Sequence, residues 1–270
     1  MKKNYLNPKL LLICCLLSIN VSAQKSYLTF STGYGMKTST QNLPDLLMYN
    51  YTANGDFVTR EQINLSLGKG FVAEASYGYR FGKHIGAEMG ISYLSGGKTE
   101  SLFTYETGSN KNHVSARMFR FNPSLVVSGN GEKFIPYGKM GLIAGLGTIS
   151  LEENSDFPGN QEIRTTVFKK GLAVGISAGL GFISTISGPL SLVCELNMVN
   201  MSYSPEMSEL TKNTRNGENQ MDKLTLSEKE TQYYDSIKLK DIDSDQPRPM
   251  LKQKLPFGSI GLKIGLRIDL

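Results

Sequence analysis

The sequence has no tryptophan, two histidines and three cysteines, and no apolar run long enough to form a membrane-spanning helix, which needs about 20 residues. Each scarcity removes a class of protein. Cys14 and Cys15 lie in the N-terminal apolar segment, so beyond it only Cys194 remains and no internal disulfide can form. With His84 and His113 as the whole histidine complement, no metal-ligand spacing appears, and neither a metal nor another cofactor is expected. The glycine-rich run at residues 141–147 lies inside an alternating segment and opens no helix, so it lacks the context of a nucleotide-binding loop. The 29 basic and 24 acidic residues are nearly balanced, which gives no basis for binding nucleic acid.

The N-terminus sets the compartment. Lys2, Lys3 and Lys9 precede the apolar run Leu10–Leu17, and Val21-Ser22-Ala23 offers small or aliphatic residues at a cleavage site before Gln24. Residues 1–23 therefore read as a secretory signal peptide, and residues 24–270 as one mature domain. The alternative, lipidation at Cys14 or Cys15, fits poorly because Ile13 and Cys14 stand where a small residue is preferred. Loss of the signal removes three basic residues and leaves 26 against 24 acidic.

Glycine is abundant, at 28 residues, and it lies within apolar segments rather than between them. Eight segments alternate with period two. Phe71, Ala73, Ala75, Tyr77, Tyr79 and Phe81, for example, oppose Val72, Glu74, Ser76, Gly78 and Arg80. Near the C-terminus Ile260, Leu262, Ile264, Leu266, Ile268 and Leu270 oppose Ser259, Gly261, Lys263, Gly265, Arg267 and Asp269. Similar segments begin near Leu28, Ile85, Phe119, Met140, Phe168 and Leu190. Apolar residues at i, i+2 and i+4 would spread around a helix but share one face of a strand.

A soluble sandwich also alternates, so the solvent needs further argument. The apolar faces are nearly free of charge over about the length a tilted strand needs to cross hydrocarbon. Tyr77, Tyr79, Phe81, Phe119 and Phe121 gather toward strand ends, as interfacial aromatics do. The links run long (37–62), short (82–84), long (95–113), short (129–133), long (150–165), short (185–189) and long (204–254). Eight strands with these links put both termini and all short turns on one side. The expected fold is all-β: a single closed antiparallel up-and-down transmembrane β-barrel of eight strands in the outer membrane, monomeric, with the termini in the periplasm and four long external loops.

The segment Arg120-Phe121-Asn122-Pro123-Ser124-Leu125, the turn Gly129–Glu132 and Pro136-Tyr137-Gly138-Lys139 carry a family resemblance. So do Glu195-Leu196-Asn197 and Ile264-Gly265-Leu266-Arg267. The chain resembles the "porin family" outer-membrane barrels common in Bacteroidota, similar in form to OmpA- and OmpX-like barrels, over most of residues 26–270. Such barrels usually end in an aromatic residue that the assembly machinery recognises. Here Ile264, Leu266, Ile268 and Leu270 keep the apolar alternation of that signal, with leucine at the last position.

The inward face is expected to carry Glu74, Arg80, Glu88, Arg120, Lys139, Lys169, Glu195, Lys263 and Arg267. An eight-stranded barrel has room inside for side chains but not for an open channel, so these residues read as an ion network that fills the lumen. A narrow channel for small solutes is the alternative. A rim hydrolase or lipid A-modifying enzyme built from His113, Ser115, Ser101 and Glu106 is a weaker one, because no spacing requires it and a loop histidine is ordinarily just solvated. The principal reading is non-enzymatic. The expected partners are membrane lipid, the barrel-assembly machinery, and an extracellular protein or surface ligand met through loops 37–62 and 204–254.

Overall fold

A computed structural model describes residues 26–38, 49–54, 57–62, 66–237 and 243–270. The signal-peptide reading falls on residues outside this set. Sixteen strands share one sheet. Eight of them carry the alternating segments: β1 (Ser26–Lys37), β4 (Gly70–Arg80), β5 (Ile85–Gly96), β7 (Gly108–Ser128), β8 (Phe134–Phe157), β9 (Asn160–Ser187), β10 (Leu190–Ser204) and β16 (Ser259–Asp269). Each pairs antiparallel with two others of the set. The pairings run β1–β4–β5–β7–β8–β9–β10–β16 and return from β16 to β1.

The alternation gives this wall two faces. On the outside Phe30, Ile91, Phe119, Leu142, Leu180, Met198 and Leu262 are all exposed. The inward neighbours of these residues are largely buried, because side chains alternate across a strand. No described helix is long and apolar enough to cross a membrane. The exposed apolar band in β7 runs over residues 119–127, close to the ~9–11 residues of a tilted membrane strand.

Short connections cluster at one end, at residues 81–84, 129–133 and 188–189, together with Ser26 and Leu270, where the Leu270 amide donates to the Ser26 carbonyl. At the other end the expected loops hold ordered strand. β2 (Tyr49–Asn54) and β3 (Phe57–Gln62) form a hairpin in the first link, and β2 pairs parallel with β6 (Thr99–Tyr105), which pairs with β7. Residues 150–165 are the far ends of β8 and β9, joined by the turn Pro158-Gly159. Proline sets φ for the first central position, and Gly159 at φ 75° meets the positive φ of the second. Strand pairing persists there because residues 163–168, Ile-Arg-Thr-Thr-Val-Phe, are rich in β-branched and aromatic side chains.

The link 204–254 is likewise structured. β11 (Met207–Arg215) lies on β9, β12 (Glu218–Asn219) folds back on β11, β13 (Glu230–Tyr234) lies on β11, and β14 (Arg248–Leu251) pairs parallel with β13. β15 (Leu255–Pro256) rejoins β10. Residues 221–229 extend no strand. Met221–Lys223 is a 3-10 turn and Leu226–Lys229 a short helix, α1. The reason is local: the Thr225 amide donates to the Glu228 carboxylate at 2.8 Å, one arm of a capping box that starts a helix.

Packing inside the wall requires small residues. A Cβ on Gly78 would lie 2.0 Å from the Tyr27 ring, which is itself buried. Gly78→Val should therefore displace Tyr27 and cost about 1–3 kcal/mol, the usual penalty of overpacking. A lower urea midpoint of the folded protein in detergent is expected, and an unchanged midpoint would show that the ring has other room.

Candidate functional site

Three layers fill the space inside the wall. Nearest the short turns, Arg267 stacks its guanidinium 3.5 Å from the centre of the Tyr27 ring and reaches Asp269 at 3.0 Å, and Arg80 also pairs with Asp269. Val126, Tyr137, Ile183 and Val193 form a small apolar cluster beside them.

The middle layer is ionic. Lys139 Nζ, on β8, lies 2.9 Å from Glu195, 3.0 Å from Glu88 and 3.5 Å from Glu74. Lys263, on β16, reaches Glu74 at 2.7 Å and Glu195 at 3.6 Å. Arg120 is buried and donates from Nε to the Ser92 hydroxyl at 3.2 Å. Tyr137 donates to Glu195 at 2.8 Å, and the hydroxyls of Ser124 and Ser177 both donate to the Asn122 side-chain oxygen. Three cations thus stand among three carboxylates, as buried charge requires. Glycine makes the room: a Cβ on Gly179 would lie 2.9 Å from the Glu195 carboxyl carbon. The cavity beside the cluster is about 20 Å³, room for roughly one water.

The third layer is apolar and lies toward the long links. Leu67, Val72, Leu94, Val114, Met118, Ile143, Ile149, Val199, Met201, Tyr203, Leu255 and Phe257 pack into one buried cluster, with Phe168 against it. Tyr203 donates to the Gly147 carbonyl at 2.9 Å and stacks edge-on with Phe257 at 6.0 Å.

Eight of the nine residues expected on the inward face are thus placed in the ionic layer or beside Tyr27: Glu74, Arg80, Glu88, Arg120, Lys139, Glu195, Lys263 and Arg267. Lys169 is the exception. An extra residue in β9 shifts the register between Gly147 and Ile149, so Gly147 faces Gly171 but Ile149 faces Phe168. This bulge reverses the parity beyond it, turning Phe168 inward and leaving Lys169 paired with Glu209 of β11 at a half-exposed position. Strict alternation misses such a shift. It placed Ser92, Asn122 and Asp269 on the inward face without naming them in the ion network, and it passed over Tyr27 and Tyr137, although Tyr137 stands two residues before Lys139.

The four rim candidates are not assembled. Ser101 is buried and faces inward opposite Asn112, whereas His113 lies on the other face of β7, its Nδ1 3.1 Å from Glu100. Ser115 shares the His113 face, and Glu106 sits in the β6–β7 turn. Ile264, Leu266 and Ile268 are exposed on the outer face of β16 and Leu270 at its end, and Cys194 is exposed on the outer face of β10. Among the described residues no group of three His, Cys, Asp or Glu is placed to hold a metal ion.

An exposed apolar exterior around a charged, packed interior inverts the arrangement of a soluble protein and is that of a membrane barrel. The sequence model of the outer membrane protein beta-barrel domain matches residues 11–222, and the chain belongs to this family of outer-membrane proteins. No curated protein matches the chain.

Lys139 is the residue on which the ionic layer turns, because among the described residues it alone touches three carboxylates. Lys139→Met should cost about 3–5 kcal/mol by stranding buried negative charge, while Lys169→Met, at a half-exposed pair, should cost no more than about 1 kcal/mol. Urea unfolding in detergent compares the two, and equal losses would refute the central place of Lys139.

Proposed function

We propose that the protein is a closed, monomeric, eight-stranded transmembrane barrel of the Bacteroidota porin-family type, exported by a cleaved signal peptide, and that it has no enzymatic activity. Its interior is a structural ion network. Its role is at the cell surface, through the sheet that rises beyond the membrane band. The observation that carries this reading is the return of the strand pairings to β1 around an interior sealed twice, by the Lys139 cluster and by the apolar layer of Leu94, Met118, Ile143 and Phe257. A closed ring leaves no unpaired strand edge in lipid.

The double seal argues against a solute channel. A polar path would cross the cluster through a cavity the size of one water and then a fully apolar layer. The parts suited to a partner are those that the eight-strand ring does not use: β2, β3 and β6 on one flank, and β11, β13 and β14 on the other. Met250 and Leu251 of β14 are exposed. The outward Ile264, Leu266, Ile268 and Leu270 serve as the recognition segment for barrel assembly.

In planar bilayers the protein should give no steady conductance, and a unitary current in the wild type would sink the sealed-lumen reading. The outer-membrane fraction should contain a band whose gel migration changes on heating. Replacing residues 207–251 with a short linker should leave that heat-modifiable band intact, since the ring does not include them; its loss would show that the flank is part of the wall. Leu270→Phe should speed membrane insertion and Leu270→Asp should block it, and equal yields of all three forms would exclude a role for that position in assembly.

A further inference from the structure

The bulge that turns Lys169 away from the interior lies beside an outward-facing row. Thr148 of β8 faces Arg117 of β7 on one side and the residues 169–170 of β9 on the other. Arg117, Thr148 and Lys170 are all exposed. Two strand spacings set the backbones of Arg117 and Lys170 about 10 Å apart, a gap that two long cationic side chains close from either side, with the Thr148 hydroxyl between them. Neither Arg117 nor Lys170 forms an ion pair among the described residues, whereas Lys169 beside them is neutralised by Glu209.

The row has two further properties. Lys170 is held at φ 60°, in the left-handed region where glycine or asparagine is the ordinary occupant; the only other non-glycine residue so placed among those described is Asn216, in an Asn-Gly turn. A lysine kept at a strained position invites a functional account. Directly below, toward the membrane band, the next outward row is Phe119, Leu146 and Leu172, all more than half exposed. Directly above are Ser115, Ser150 and Val167; Glu209 of β11 stands beside Val167 but is paired with Lys169, and on β8 the nearest outward carboxylate, Glu152, is two rows away. Cations thus stand at the border between the apolar band and the polar sheet, at the end opposite the termini.

We propose that Arg117, Thr148 and Lys170 bind the phosphate of a phosphorylated glycolipid in the outer leaflet, whose acyl chains lie along Phe119, Leu146 and Leu172. This rests on the barrel reading above. A planar guanidinium and an ammonium are the groups that take phosphate, and basic residues at a membrane surface recognise anionic headgroups. The apolar row beneath selects a lipid over free phosphate. Lys170 keeps the outward parity of Leu172, and the bulge sets the neutralised Lys169 beside it.

The probe is a monophosphorylated diglucosamine lipid in neutral detergent micelles, with retention by the folded protein measured by native mass spectrometry. Wild type should retain it, and should retain the dephosphorylated lipid far less. The double variant Arg117→Gln, Lys170→Asn keeps a residue tolerant of the left-handed conformation and removes both charges, and its affinity should fall roughly 30-fold, about fivefold for each basic residue. Lys169→Asn should change retention little. Equal retention by wild type and double variant would overturn the proposal, as would equal retention of the two lipids. Displacement by millimolar inorganic phosphate alone would replace the lipid site with a simple anion site. Heat-modifiable migration is recorded for each sample: its absence in wild type refutes the barrel reading and this site with it, whereas a folded barrel without lipid refutes only the site.

Discussion

Backbone hydrogen bonding is the constraint from which the rest follows. In hydrocarbon there is no water to satisfy an exposed amide or carbonyl, so each must find a partner within the chain. The first and last strands provide the decisive pairing, with Tyr27 opposite Asp269 at one end of the ladder and Lys37 opposite Ser259 at the other. Once that ladder forms, every strand of the ring has two neighbours. The alternation then separates two environments along each strand, apolar outside and charged or packed inside. Above the band the rule relaxes, and the same sheet extends there into strands with free edges such as β3 and β14.

Filling the ring poses a second problem, because charge taken from water must be compensated. The solution is layered. Lys139 and Lys263 come from strands β8 and β16, while the carboxylates they meet come from β4, β5 and β10, so the ion pairs cross the lumen and brace strands distant in the ring. The apolar cluster on one side and the Val126–Tyr137–Ile183–Val193 group on the other keep water from the cluster and leave its charges to one another.

Much of this is legible in the sequence because its period of two is also the period of a strand. The segments, their faces and the short turns follow from where Phe71, Glu74 and Gly78 stand relative to one another. The apolar layer inside the wall was harder to see. Val72, Leu94, Met118 and Ile143 share the parity of the charged residues, and a reading that sorts one face as polar passes over them. Ordered strands in the long links were missed for a different reason: polar residues such as Gln161, Glu162 and Asn213 look like loop residues, and only pairing with a neighbour makes them strand.

The bulge in β9 marks the limit of pattern reading and the most informative departure from it. One inserted residue is almost invisible in a sequence, since Phe168, Lys169, Lys170 and Gly171 fit either parity when seen alone. Its effect is large because side-chain direction is an all-or-none property of register. On the side of the short turns the strand keeps Gly171, Ala173, Gly175 and Ser177 to the lumen and its apolar residues to lipid. Beyond the bulge, Phe168 turns in to complete the apolar layer and two lysines are left outside. A single irregularity thus closes the interior and changes the exterior from apolar to basic at the same height. That coincidence is the physical reason to regard the bulge as the border of the membrane band.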